Sequence, residues 1–357
     1  MNSRLTVSTP GRICLFGEHL DYLGLPVIAA AISRRVMVTG VQRPNQTVTI
    51  ALPDIGSSET FTLNGQLPYQ HRRDYFRSAI NVLQNAGLTF SRGIEAEVRG
   101  NIPINSGTSS SSALLVSWLH LLMRMSDQHP DWDALRLAEL AYEAEVMEFN
   151  EAGGMMDHYA TAVGNVIYLE STPNIRLEML KPDFGTFVLG DSLEPKDTQG
   201  GLSRVRNSVN RIVAGIQAVS PEFSLLTSTG TEAGEFKEKL SKEDFQLLKG
   251  TLSNRDLLTE ALGVLRNPVL NHLRFGTLLS QHHRNLRDSQ RISTPKIERM
   301  INAALSAGAL GAKINGSGGG GCMFAYAPYQ PGAVAEAIEK EGGNAYLIEI
   351  EEGTRTE

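Results

Sequence analysis

Cysteine is scarce in this chain: Cys14 and Cys322 are the only two among 357 residues, and each lies inside an apolar run. Their distance and surroundings favour free buried thiols in a reducing compartment over a disulfide or a cysteine metal centre. Positive charge is also wanting. Lys and Arg number 33 against 39 Asp and Glu, a formal net charge of -6, so nothing advertises a nucleic-acid or anionic-membrane partner. No apolar stretch approaches the roughly 18 residues that a membrane span needs. The opening MNSRLTVSTPGR has no apolar segment of signal-peptide length. The expectation is a cytoplasmic protein, a monomer or weak oligomer, with no nucleic-acid or membrane partner. Motifs are missing too: there is no GxxxxGK[ST] loop, no HExxH and no Cys/His cluster. Asp183-Phe184-Gly185 spells DFG, but no HRD loop or Gly-rich loop precedes it as a protein kinase requires.

What is present reads as an ordinary globular α/β chain. Apolar residues make up 41% and charged residues 20%, and the length suggests about two domains. Strands are expected at 27–41, 47–52, 94–98, 165–170, 186–190, 311–315, 322–327 and 344–350. Helices are expected at 74–86, closed by Gly87, at about 133–149 after Asp131 or Asp133, and at 205–219, 232–249, 254–264, 268–288, 295–307 and 331–341. The body of the helix at Ala113–Met123 is apolar nearly all round, which predicts burial on most sides. A change of character near 183–191 marks the expected domain boundary.

Four segments carry candidate chemistry. In GRICLFGEHLDYLG, Gly11–Gly24, an apolar strand at Ile13–Phe16 ends abruptly in polar side chains, so Glu18, His19 and Asp21 are delivered to a sheet end, with Arg12 at its start. An ordinary polar turn is the alternative. Pro103–Ala113 is rich in serine (Ser106, Ser109, Ser110, Ser111, Ser112), and Gly107 permits a sharp bend. At a helix start it would offer unpaired N–H groups, hydroxyl donors and a cation ligand, a phosphate cradle without a Walker lysine. A Ser-rich N-cap is the alternative. Gly311–Ala327 places a glycine run between two strands, which fails the strand-turn-helix context of a dinucleotide site but lets backbone approach a ligand or another loop closely. Asp157, after Gly153-Gly154, is either a general base or a helix cap. On the 133–149 helix, Glu145 and Glu148 both fall on inward stripes, and spacing does not choose between them.

In this order the segments resemble the GHMP small-molecule kinases, named for galactokinase, homoserine kinase, mevalonate kinase and phosphomevalonate kinase. GRICLFGEHLDYLG resembles the galactokinase signature, with Cys14 and Leu20 at its Asn and Thr positions. PINSGTSSSSA is similar to the second family motif, with Asn105 where glycine is usual. GAKINGSGGGGC resembles the third motif, GGMMDH the segment carrying the catalytic aspartate, and FGTLLSQHHRNLRDSQRISTPKIERM the helical region before motif three. The resemblance implies an α/β (α+β) two-domain GHMP kinase fold: a ribosomal-protein-S5-domain-2-like N-terminal domain at 1–185, a ferredoxin-like C-terminal domain at 186–357, and the active site in the cleft between them. It implies ATP- and Mg²⁺-dependent phosphorylation of a small-molecule sugar, the anomeric 1-OH of galactose or a related sugar first. Asp157 would be the catalytic base and Arg12 its electrostatic partner. Glu18, His19, Asp21 and Gly154 match sugar-binding positions. Ser106, Gly107, Thr108, Ser109, Ser110, Ser111 and Ser112 match the ATP-phosphate loop, Ser111 and Glu145 the Mg²⁺ ligands, and Gly316, Ser317, Gly318 and Gly319 the supporting glycine loop. His158, in place of Gln, and Lys313-Ile314-Asn315 depart from the galactokinase pattern and leave the sugar's identity open. A mevalonate kinase-like enzyme acting on a small alcohol and a non-catalytic sugar and ATP sensor are the alternatives.

Overall fold

The unbroken apolar run near the N-terminus is explained by a strand that is covered on both faces. In the computed structural model, which describes residues 4–195 and 198–357, β1 (Leu5–Phe16) has its last ten residues buried. Cys14 faces one core with helix α2 (Ser110–Met125), while Ile13 and Leu15 face another with helices α7 (Lys242–Leu265) and α8 (His272–Asp288). The long neighbour β2 (Val27–Arg43) runs antiparallel to β1. On its other edge, Val27–Ala30 pair with β6 (Val166–Glu170) and Val36–Arg43 pair with β5 (Gly93–Gly100). With β3 (Thr47–Leu52), β4 (Ser57–Thr62), β7 (Arg176–Leu180) and the short β12 (Arg355–Thr356), these form an eight-stranded sheet of order β12-β1-β2-β5-β3-β4, with β6 and β7 branching from β2. Helices α1 (Tyr75–Asn85), α2, α3 (Ala134–Tyr142) and α4 (Met156–Val163) pack together over this sheet, and α2 and α4 contact β1 and β2 directly.

The second sheet is antiparallel, with the order β11-β8-β10-β9 formed by β8 (Phe187–Asp191), β9 (Gly311–Ile314), β10 (Cys322–Tyr326) and β11 (Asn344–Ile348). This is the ferredoxin-like strand order. Its first crossover is swollen by α5 (Thr198–Gln217), α6 (Gly230–Gly234), α7 and α8 before α9 (Pro295–Ser306). Helices α9 and α10 (Pro331–Lys340) cover one face. Helices α7 and α8 fill the space between the sheets, where Phe275, Leu278 and Leu258 meet Ile13 and Phe16 on one side and Phe187 and Phe324 on the other. This shared core fixes the two sheets to each other. The sheets change over between Leu180 and Phe187, and the tail returns to the first sheet through β12 and bridges at Ile350 and Glu352. We propose a domain boundary at 185/186, with that tail belonging to the first domain.

The expected helices at 232–249 and 254–264 are corrected: residues 242–265 form one helix, preceded by the separate short turns Gly230–Gly234 and Lys237–Lys239. Gly250 is no breaker, since a Cβ there would lie 2.4 Å from the Ser289 side chain, and the glycine serves helix packing. The helix expected at 133–149 is α3, capped by the Asp133 side chain, and runs into a π-helical turn at Glu143–Met147. Strands β4 and β7 escaped the reading because half-exposed segments such as SSETFT lack apolar alternation. Both cysteines are buried, and no disulfide joins them. Among the described residues, no helix is long and apolar enough to cross a membrane.

One close approach matters for the site, because β9 carries Lys313 and leads directly into Asn315. Helix α8 lies directly against it: a Cβ on Gly276 would sit 2.3 Å from the Leu310 carbonyl oxygen, and one on Gly311 would sit 2.0 Å from that of Gly276. Gly276→Ala is therefore expected to lower the unfolding free energy by about 1–3 kcal/mol, measured by urea denaturation. An unchanged midpoint would contradict this packing.

Candidate active site

Arg12 leaves β1 buried, 4% exposed, and lies against the carboxylate of Asp157. Its Nε donates to Oδ1 at 2.8 Å and its Nη2 lies 2.7 Å from the same oxygen, while Nη1 donates to the Gly107 carbonyl. Asp157 is the second residue of α4, and its side chain meets Arg12 rather than capping the helix, whose N-cap Met155 makes no side-chain bond. Burial pushes the Asp157 carboxyl up, but Arg12, His158 and Ser109 outweigh it and hold the group below the ordinary carboxylate range. Asp157 is thus an anion at neutral pH and a weak base.

The serine segment does form a helix start. Asn105, Gly107 and Ser109 take positive φ of 55°, 90° and 58°, and α2 begins at Ser110 without a side-chain N-cap. Its first N–H groups and positive dipole end stay available, and Gly107, Ser109, Ser110, Ser111 and Ser112 line a cavity of about 630 Å³. Ser106 and Thr108 are not among its lining residues: their hydroxyls lie 2.9 Å apart, and both donate to the Pro103 carbonyl. They brace the loop instead of facing a ligand.

The π-helical turn resolves the choice between glutamates. Glu145 faces the cavity, 2.8 Å from His158 Nε2, whereas Glu148 is exposed and accepts from the Tyr69 hydroxyl. Burial raises the Glu145 carboxyl, but His158, Ser112 and Ser111 together bring it below its ordinary value. That places Glu145 beside the Ser111 hydroxyl, as a cation ligand pair requires.

At the other end, Asp21 accepts from the Tyr22 amide at 2.8 Å and the Met156 amide at 3.3 Å. Burial and the nearby Asp157 push its carboxyl up to about 6. Gly154 is sterically required, since a Cβ there would lie 2.0 Å from an Asp21 carboxylate oxygen. His19 lies 2.6 Å from the Tyr22 hydroxyl through Nδ1 and 3.2 Å from the Ser317 carbonyl oxygen through Nε2. Glu18 borders the cavity, but both its carboxylate oxygens are taken, by the Lys313 ammonium and the Gly316 amide. Each oxygen keeps a further lone pair, so Glu18 braces the glycine loop while its carboxylate still borders the cavity.

The glycine loop approaches other loops, as expected of a turn without side chains. Asn315 accepts from the Cys14 amide at 2.9 Å and donates to the Gly107 carbonyl at 2.8 Å. The Cys322 amide donates to the Ser106 carbonyl at 2.7 Å. A Cβ on Gly316 or Gly321 would lie 2.9 Å from Gly107 Cα or 2.6 Å from the Ser106 carbonyl oxygen. Gly316 and Ser317 line the cavity, and the buried Ser317 hydroxyl has no hydrogen-bond partner among the described residues, as befits a group awaiting a ligand. Gly318 packs on Ile292, whose carbonyl accepts from the Gly319 amide, so these two support the loop from outside the cavity.

Further cavity residues had no motif to announce them. Leu202, Ser203, Arg206 and Asn207 come from the first turns of α5, and Arg72, Arg73 and Tyr75 from the approach to α1. They sit on ordinary amphipathic surfaces, and only the fold brings them together.

Comparison with known proteins agrees with this geometry. The family described as "GHMP kinases N terminal domain" matches residues 74–165, "GHMP kinases C terminal" matches 262–344, and "Galactokinase galactose-binding signature" matches 2–40. A mevalonate kinase of Thermococcus gammatolerans is 29% identical over 364 residues, covering 99% of this chain and 98% of that protein. A galactokinase of Haemophilus influenzae is 26% identical over 373 residues, covering 98% and 94%. In structure, Lactococcus lactis galactokinase complexed with galactose superposes with a TM-score of 0.87 at 22% identity, covering 99% of this chain and 95% of that one. Methanococcus jannaschii mevalonate kinase reaches 0.73 at 19% identity, covering 98% and 99%.

Two outcomes follow from the site's geometry. Asn315→Ala leaves the Cys14 amide and one acceptor position on Gly107 without partners, and is expected to cost about 2–4 kcal/mol in chemical denaturation; a loss under 0.5 kcal/mol would deny the Asn315 contacts their role. For Asp21, the folded-state carboxyl is raised above its unfolded value. Its contribution to stability is therefore present at low pH and lost as pH rises through about 6. Asp21→Asn should raise the melting temperature relative to the parent at pH 8 and change it little at pH 4. An equal shift at both pH values would contradict the burial of that charge.

Proposed function

This chain belongs to the GHMP kinases and is a small-molecule kinase, and on that premise we propose that it transfers the γ-phosphoryl group of ATP to a monosaccharide hydroxyl, the anomeric 1-OH of galactose or a related sugar. The observation that carries this reading is the Arg12–Asp157 pair in the wall of a cavity that has a serine-lined helix start at one end and Asp21 with Gly154 at the other. The amides of the serine segment and the hydroxyls of Ser109, Ser110, Ser111 and Ser112 would hold the phosphates. The carboxylate of Glu145 beside the Ser111 hydroxyl fits Mg²⁺, which when bound neutralises phosphate charge.

In the transfer, Asp157 accepts the proton of the acceptor hydroxyl as its oxygen bonds to the γ-phosphorus and ADP leaves. Because Arg12 keeps Asp157 a weak base, proton transfer comes late, and most of the acceleration comes from positioning and charge neutralisation. Asp21 and the His19–Tyr22 pair would orient the remaining sugar hydroxyls, while Glu18 holds the glycine loop.

A second reading, phosphorylation of mevalonate, is favoured by relatives at 26–29% identity that are mevalonate kinases. The deciding assay is ADP release from Mg·ATP with a panel of monosaccharides and mevalonate. The expected result is turnover with at least one sugar, cut by about a thousandfold in Asp157→Ala. Unchanged turnover in that variant would remove Asp157 from the chemistry, and turnover of mevalonate alone would overturn the sugar as acceptor.

A further inference from the structure

The ionic groups around the cavity are almost all matched. Arg12 pairs with Asp157, Arg73 is bidentate to Glu151, Glu145 meets His158, and Glu18 meets Lys313. Asp21 is held by two backbone amides. Arg206 differs: it lines the cavity half-buried, and it makes no hydrogen bond or ion pair with a described residue. A guanidinium in a ligand cavity without an anion lacks the planar, two-oxygen partner that it binds best.

Its position assigns it to the acceptor end. Leu202, Ser203, Arg206 and Asn207 fall at helical spacing on one face of α5, and all four line the cavity. The same helix abuts the glycine loop, since a Cβ on Gly201 would lie 3.2 Å from the Ser317 carbonyl oxygen, the one that His19 contacts. It also packs on the turn Asp21–Leu23. The positive charge of Arg206 acts on the phenols of Tyr22 and Tyr142, opposing the burial that pushes both up. The Arg73–Glu151 pair, by contrast, lies near Glu145, which itself meets Ser111 and Ser112 of α2.

We propose that the acceptor is a sugar acid, a hexuronate whose carboxylate is bound by Arg206 while its hydroxyls meet Asp21. This rests on the sugar-kinase reading and narrows it. A neutral hexose satisfies Asp21 but leaves the guanidinium without its anion, whereas a C6 carboxylate on the same ring supplies two oxygens to it. Selection of this kind acts through KM and kcat/KM, because the carboxylate lies away from the reacting hydroxyl.

The test compares D-galacturonate, D-glucuronate, D-galactose and mevalonate with the parent enzyme, Arg206→Gln and Arg206→Lys, measuring kcat and KM for acceptor and for ATP. Thermal melts of each variant verify folding. The expected result is a kcat/KM at least tenfold higher for a hexuronate than for galactose. Arg206→Gln should bring that ratio to about one, chiefly by raising the acceptor KM, and Arg206→Lys should keep part of it. Preference for galactose, or an equal loss for acidic and neutral sugars in Arg206→Gln, would overturn the assignment and leave the sugar kinase standing. A raised KM for ATP alone would assign Arg206 to the nucleotide and overturn it as well. Turnover of mevalonate with no sugar would instead overturn the sugar-kinase reading, and this inference with it.

Discussion

The cleft depends on one buried junction, in which Lys313 on β9 and Asn315 just after it grip the end of β1 and the serine loop. Lys313 is fully buried, with its ammonium on Glu18 and, at 2.7 Å, on the Cys14 carbonyl, and it stands 5.1 Å from the Phe324 ring centroid. Asn315 satisfies one backbone donor on β1 and one backbone acceptor in the serine loop at once. A buried ion pair of this kind adds little net stability, since desolvation offsets most of the attraction. Loss of either partner is costly, of order 3–5 kcal/mol, because a charge is left unpaired. The junction therefore makes one relative placement of the segments far better than its neighbours.

From that placement the electrostatics of the site follow. Once Gly107 is fixed, its carbonyl receives both Asn315 and Arg12, and Arg12 is thereby aimed at Asp157. Asp157 is held ionised while Asp21, close by and without a cationic partner in contact, is pushed toward neutrality. Two carboxyls that both feel the charge of Arg12 thus have opposite shifts. The glycines near the junction are needed where backbone meets backbone, as at Gly316 against Gly107.

Much of this was legible in the sequence, and the exceptions have physical causes. The apolar run of β1, the helix start at the serines and the glycine turn between strands are local signals, and each was found where its residues predict it. Glu145 could not be separated from Glu148 by periodicity, because the π-helical turn shifts the spacing at that point. The bracing role of Glu18 was not legible, because its partner Lys313 is 295 residues away. Arg206 carries no local signal at all. Its place in the cavity wall comes from the packing of α5 against the turn at Asp21–Leu23, a contact that only the assembled fold creates.

The central claim is that this cleft phosphorylates a sugar at its anomeric hydroxyl. The ³¹P NMR spectrum of a reaction containing the protein, Mg·ATP and a monosaccharide mixture of neutral and acidic sugars tests it directly. The account predicts a new phosphomonoester resonance coupled to an anomeric proton, growing as the γ-phosphate signal of ATP declines. A spectrum in which ATP persists with every sugar, while addition of mevalonate produces a phosphomonoester, would contradict it.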